Sequence, residues 1–216
     1  SFVRGDGTPI RFWAVNDNVY RDGKEKLADH ARFLAKRGVN MVRFHGSMDP
    51  KAPDSKLSDI DEKQLDALFL DVAEMKKQGI YVTVSPVWPV AVRTRDKNGK
   101  ILHPNWGDIG ASGNLTGLLF FEPELQAAYK SWLKDMFTKV NPYTGIALKD
   151  DPTVAILQIQ NEDSLLFWTF QSIKGHDLDI LRKQFGDWLI KKYGSLEKTQ
   201  NVWQHASPDG GQTPDD

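Results

Sequence analysis

TVAILQIQNE, residues 153–162, decides how this chain is read. Val154, Ala155, Ile156, Leu157 and Ile159 form a short apolar run, and Asn161, Glu162 and Asp163 follow it directly. Continuous apolar runs of this kind are expected of strands in a parallel sheet whose two faces are both covered. In such folds the functional groups gather at the carboxyl ends of the strands. A strand that ends in an amide and two carboxylates therefore places candidate chemistry where the fold would use it.

The same unit recurs upstream. IRFWAVN (10–16) is a short apolar run, and KEKLADHARFLAKRG (24–38) follows with Leu27, Ala31, Leu34 and Ala35 at helical spacing and Gly38 as a stop. VNMVRFHG (39–46) reads as the second strand. DIDEKQLDALFLDVAEMKKQG (59–79) puts Leu65, Leu68, Phe69, Val72 and Met75 on one helical face, and IYVTVSPVW (80–88) is the third strand. EPELQAAYKSWLKDMFTKV (122–140) predicts a helix with Leu125, Tyr129, Trp132, Leu133 and Met136 on its stripe. The run quoted first is the fourth strand, followed by helices over 177–194 and 195–203. Strand and helix alternate four times, which is the signature of a parallel α/β sheet.

Two architectures fit that alternation, an open doubly wound sheet and a closed (β/α)8 barrel. The open sheet usually carries a glycine-rich phosphate turn after its first strand. Here NDNVYRDGK follows instead, with neither GxGxxG nor GxxxxGK[ST], so nucleotide binding loses its main support.

Composition narrows the remaining classes. The chain has 216 residues, net charge −1 and no cysteine, which argues against a nucleic-acid surface and excludes disulfide or thiolate chemistry. No apolar run approaches the ~20 residues of a membrane span. The five histidines show no metal spacing, and no cofactor is implied. The opening SFVRGDGTPIRFW reads as the middle of something, pointing to a removed upstream segment; its RGD reads as a turn. NLT (114–116) fits a glycosylation sequon that also arises by chance. A small hairpin is predicted around Asn98-Gly99 inside the long loop 89–121, which carries Trp106 and is the expected contributor to substrate choice. One unit is expected over 1–206, with 207–216 as a loose tail.

The strand ends, taken together, supply Asn16, Asp17 and Asn18; Arg43, Phe44 and His45; Ser85, Pro86, Val87 and Trp88; and Gln160, Asn161, Glu162 and Asp163. QIQNE resembles the end of strand four in the (β/α)8 glycoside hydrolases that use two glutamates, and NMVRFH resembles their second strand with its arginine near the catalytic pair. NPYTGIALKDDPTVAILQIQNEDSL is similar to a block of the cellulase-like branch, and FGDWLIKKYGSLEKTQNVW to a stretch of the β-galactosidase branch. The resemblance covers about residues 8–205.

That resemblance implies the amino-terminal half of a TIM barrel, about four of its eight βα units. It also implies retaining hydrolysis of a β-linked saccharide, with Glu162 as the acid/base. The wall of the cleft would then be Asn16, Arg43, His45, Trp88, Asn161 and Trp168. Such an acid must be held protonated by burial or a neighbouring negative charge. The family's nucleophile, at the end of strand seven, has no counterpart after residue 205.

Simpler readings stand beside these. Glu162 and Asp163 also suit local capping, Arg43 a structural ion pair, His45 a satisfied structural histidine, and Trp88 and Trp168 core closure. A non-catalytic carbohydrate-binding or assembly module is the alternative function. The expected partner is a saccharide, not a nucleic acid or membrane. The first and fourth strands are expected as open edges that invite self-association or a complementary half-barrel. The expected location is extracellular or periplasmic.

Overall fold

The computed structural model describes residues 2–48, 56–88, 117–166, 170–171 and 173–203. The hairpin at Asn98-Gly99, Trp106, the NLT sequon, Trp168 and the tail lie outside the described residues. The chain divides into two compact units. The first comprises Ser1–Val90 and Ala127–Glu162, the second Ala91–Gln126 and Asp163–Asp216.

The first unit opens with a small antiparallel hairpin, β1 (Phe2–Val3) and β2 (Pro9–Ile10). The RGD segment is its turn: the Arg4 amide donates to the Thr8 carbonyl at 2.8 Å and the Asp6 carboxylate accepts from the Thr8 amide at 2.9 Å. A four-stranded parallel sheet follows in the order β3 (Ala14–Asp17), β4 (Met41–Ser47), β5 (Tyr81–Val87), β6 (Val154–Leu157). Spatial order equals chain order, as for consecutive βα units of a TIM barrel. The run read as a first strand from residue 10 is thus divided between the hairpin and β3.

Helices α1 (Lys24–Ala35) and α2 (Glu62–Lys77) connect the first three strands. Asp61 starts α2 by accepting the Lys63 and Gln64 amides at 2.9 and 3.2 Å, satisfying two donors that a helix start leaves open. Gly38 and Gly79 end the two helices at φ of 78° and 69°, a left-handed turn that a side chain would oppose. Leu27, Ala31 and Leu34 of α1 and Leu65, Leu68, Phe69, Val72 and Met75 of α2 are buried, matching the predicted stripes. Each large side chain so removed from water contributes about 1.5–3 kcal/mol before entropy is counted.

Alternation along the strands sorts the side chains onto two faces. Val42 and Phe44 of β4 and Val82 and Val84 of β5 are fully buried, while Arg43, His45, Thr83 and Val87 on the opposite parity are half-buried. The expectation that both faces are equally covered therefore fails for β4 and β5. It fails further for β6, where Leu157 is 37% exposed; among the described residues no strand pairs with its outer side.

The residues before β6 tie it to α2. The buried Asn141 amide donates to the Phe69 carbonyl at 2.8 Å, and Lys76 pairs with buried Asp151 at 2.9 Å. Burial pushes the Asp151 carboxyl up, but bonds from Thr153 and Lys76 outweigh it and hold it below the usual range. Helix α3 (Pro123–Thr138) contributes buried Tyr129, Trp132 and Met136 to the first unit. In the second unit α4 (Gly175–Tyr193) ends at Gly194, and α5 (Leu196–Val202) is capped by Ser195, which accepts the Lys198 amide at 3.1 Å.

Candidate active site

Strand register assembles the rim. Asn16 of β3 lies opposite Arg43 of β4, Arg43 opposite Thr83 of β5, and His45 opposite Ser85. Between β5 and β6 the register slips: Val82 pairs with Val154 but Thr83 with Ile156. Ala155 is the extra residue, and a bulge of this kind turns the side chains that follow. The shift puts Ile156, and with it Gln158, on the face of Arg43.

Arg43 is the hub. Its Nε donates to Gln158 Oε1 at 3.0 Å, its Nη2 to Asn161 Oδ1 at 2.7 Å and Ser85 Oγ at 3.0 Å, and its Nη1 to Asn16 Oδ1 at 3.5 Å. A guanidinium has donors and no acceptor, so it settles which end of each amide faces it. Gln158 Nε2 completes the circuit by donating to the same Asn161 oxygen at 3.2 Å. With its oxygen engaged twice, Asn161 presents the NH2 end as a donor.

His45 sits beside this hub. Its Nδ1 lies 2.9 Å from the Ser85 hydroxyl and 3.1 Å from the Ser85 carbonyl; in the tautomer that donates to that carbonyl, the lone pair is on Nε2. Arg43 Nη2, 3.3 Å from the same nitrogen, then acts as a neighbouring charge. Burial first, and that charge second, hold His45 below the ordinary imidazole range, against the opposing pull of the Ser85 carbonyl and the Glu162 charge. His45 is therefore a neutral ring at neutral pH.

Tyr20, on the turn at Val19–Arg21, donates its hydroxyl to the His45 carbonyl at 3.1 Å. Gly46 makes room for it: a Cβ there would lie 2.9 Å from the Tyr20 hydroxyl and 3.0 Å from the Phe44 ring. Gly46→Ala is expected to destabilise the chain by about 1–3 kcal/mol through overpacking. The check is a lower urea midpoint with an unchanged m-value.

Glu162 follows Asn161 directly and is exposed to solvent, which corrects the expectation of a half-hidden acid. The reason is the uncovered outer side of β6. The carboxylate follows the Arg43-bound Asn161 directly in the chain, and its charge opposes the lowering of the His45 pKa. Its backbone is at φ 49°, the left-handed region that costs a residue with a Cβ about 1–2 kcal/mol. Strand β6 ends at Leu157, with one last bond from the Gln158 amide to the Val84 carbonyl at 2.9 Å, so the predicted strand to residue 162 ends early.

Trp88 requires a second correction. It is 3% exposed and packs edge-on against Tyr129 of α3, with ring centroids 5.6 Å apart. Its parity is that of Val82 and Val84, so alternation sends it to the helix side rather than the rim. Asp163 accepts the Gly117 amide within the second unit at 2.9 Å. Gln158 and Ser85 escaped the sequence reading as site members. The available signal was spacing by two, which sets Thr83 with Ser85 and Gln158 with Gln160. Among the described residues no group of three or more His, Asp or Glu side chains is arranged to hold a metal ion.

Parallel βα units in chain order, with an arginine–amide–carboxylate rim at their carboxyl ends, define a segment of a (β/α) barrel. The comparisons agree with that class. The chain is 27% identical over 169 residues to a putative mannan endo-1,4-β-mannosidase of Oryza sativa, covering 74% of this chain and 34% of that protein. It is 32% identical over 130 residues to a mannan endo-1,4-β-mannosidase of the same plant, covering 58% of this chain and 27% of the relative. No family model matches.

Among solved structures, an endo-1,4-β-mannanase from Rhizomucor miehei aligns over 91% of this chain and 55% of its own, with TM-score 0.56 and 15% identity. An exo-β-1,4-mannosidase from an Opitutaceae bacterium aligns over 95% of this chain and 32% of its own, with TM-score 0.51 and 15% identity. These likenesses establish the fold as that of a TIM barrel. The resemblance to the (β/α)8 glycoside hydrolases is borne out by the relatives, and the chain spans about a third of the length of the curated relatives it matches.

Proposed function

We propose that this chain carries the acid/base half of a retaining glycosidase that cleaves β-1,4-linked mannan. The observation that carries the reading is the Arg43 hub, which joins Asn161, Gln158, Asn16 and Ser85 on one rim immediately beside Glu162. Glu162 protonates the departing glycosidic oxygen and afterwards takes a proton from the attacking water. The Asn161 NH2 donates to the sugar's 2-hydroxyl, a contact that strengthens as positive charge develops at the anomeric carbon. His45, neutral and fixed by Ser85, offers its Nε2 lone pair to a sugar hydroxyl. The left-handed backbone at Glu162 supports a functional role, since such conformations concentrate at working sites.

A retaining mechanism requires a second carboxylate about 5–5.5 Å from the first. By family resemblance it comes from strand seven, outside the four βα units found here. Rejoining that half would also cover the outer side of β6 and shield Glu162 from water. A second copy of the chain is the other candidate for that edge, and light scattering separates the two. An extracellular or periplasmic location suits a polymeric substrate too large to enter a cell; among the described residues no helix is long and apolar enough to cross a membrane.

The test assays mannan and aryl β-mannosides with this chain and with one extended toward its carboxyl end. Activity confined to the extended chain is the expected result. Saccharide binding without turnover in either would replace the enzyme with a carbohydrate-binding module.

A further inference from the structure

The alternation that puts Asn16 on the rim sends Asp17, the last residue of β3, to the opposite side of the sheet. There its carboxylate is the charge and hydrogen-bonding neighbour of Asp71 on α2. Asp17 is 1% exposed and Asp71 0%. Asp17 Oδ1 is committed: it accepts the Val19 amide at 2.8 Å and has His30 Nε2 of α1 at 3.6 Å. Asp17 Oδ2 and both oxygens of Asp71 have no hydrogen-bond donor among the described residues. Two buried carboxylates cannot face each other in that state, because each desolvated charge costs free energy and the pair repels.

We propose that Asp17 and Asp71 share one proton, and that this proton is a pH-sensitive latch fastening the carboxyl end of β3, and with it the Asn16 rim, to helix α2. A proton on one Asp71 oxygen makes it a donor to Asp17 Oδ2, which satisfies two of the three oxygens left open by the ionised pair. Burial first, and the Asp17 charge second, push the Asp71 carboxyl well above the ordinary carboxylate range. α1 brings His30, which is directed at Asp17; the turn after β3 brings Tyr20, whose hydroxyl goes to His45. On α2 itself, Glu74 is held by Lys77 at 2.6 Å. β4 turns the apolar Val42 and Phe44 into this layer. The latch does not depend on whether the rim cleaves sugar.

The sign follows from the raised value. In the unfolded chain the aspartate releases its proton near pH 3.9, roughly its unperturbed value. The folded chain keeps that proton to higher pH, so folding takes one up in between. The latch is therefore complete below the unfolded value and is lost as pH rises through the folded one. Within that window the folding constant falls by up to about tenfold per pH unit.

The experiment is urea unfolding of the full chain from acid to mildly alkaline pH, with infrared spectra at neutral pH, for the parent, Asp71→Asn and Asp17→Asn. The parent should lose stability across the window and show the carbonyl stretch of a protonated carboxyl. Asp71→Asn, whose amide donates to Asp17 without a proton, should flatten the slope and remove the band. Asp17→Asn removes the second cause and leaves burial in place, so it should keep the band at a shifted frequency and flatten the slope less than Asp71→Asn does. No such band in the parent, or equal slopes in parent and Asp71→Asn, would overturn the latch, and the parent spectrum decides even where a variant fails to fold. Calcium or zinc that stabilises the parent but not Asp71→Asn would also overturn it, identifying a cation site instead.

Discussion

On the proposed function, Glu162→Gln in the extended chain is expected to lower mannan turnover by about 10²–10⁴-fold, the usual contribution of a positioned proton donor. The loss is expected to depend on the leaving group. A sugar alkoxide leaves poorly without a proton, whereas an activated phenolate leaves without help. An aryl β-mannoside with a good leaving group should therefore lose far less in its first step. The backbone at φ 49° is a separate demand from the carboxyl, and glutamine meets it as well as glutamate does. Comparing kcat for mannan and for aryl mannosides of graded leaving-group acidity checks the assignment. An equal loss on all substrates, or none, removes Glu162 from the proton-donor role.

Arg43→Met is the second large effect. It keeps the length of the stem and removes the donors that orient Gln158, Asn161 and Ser85. Gln158 Oε1 is then left half-buried without its donor, at a cost of about 1–3 kcal/mol for such a group, and Asn161 Oδ1 keeps only its bond from Gln158. Asn161 loses the bond that points its NH2 outward, and misplacement of this kind is worth roughly 10²-fold in rate. Arg43→Lys should not restore it, because an ammonium cannot span the separate acceptors met by a planar fork. A third readout needs no substrate. The Arg43 charge helps to hold His45 down, so its removal should move the His45 titration to higher pH in an NMR experiment. An unchanged His45 titration would mean that Arg43 and His45 do not communicate as the rim geometry requires.

The comparison of reading with structure turns on parity and on cover. Helices α1, α2 and α3 were legible because their stripes repeat locally, although α2 also buries Leu70, Asp71, Ala73 and Glu74 off its stripe. Asn16, Arg43, His45 and Asn161 were legible as site candidates because a parallel sheet gathers its strand ends, and the structure brings all four together. Trp88 was misjudged because it was taken as part of a strand end, although its spacing from Val82 and Val84 already assigned it to the helix side. Gln158 was passed over because it interrupts an apolar run, and its place depends on the bulge at Ala155.

What the chain determined by itself is local: where strands and helices form, which stripe each helix buries, and which polar groups end each strand. Those follow from alternation and helical spacing within a few residues. What only the tertiary structure decided is which partners meet and what is covered. Arg43 and Asn161 stand 118 positions apart, and their bond at 2.7 Å exists only after register and bulge are set across the sheet. The proximity of Asp17 to Asp71 and the exposure of Glu162 have the same origin. Burial belongs to whatever packs against a residue, and no local pattern carries that information.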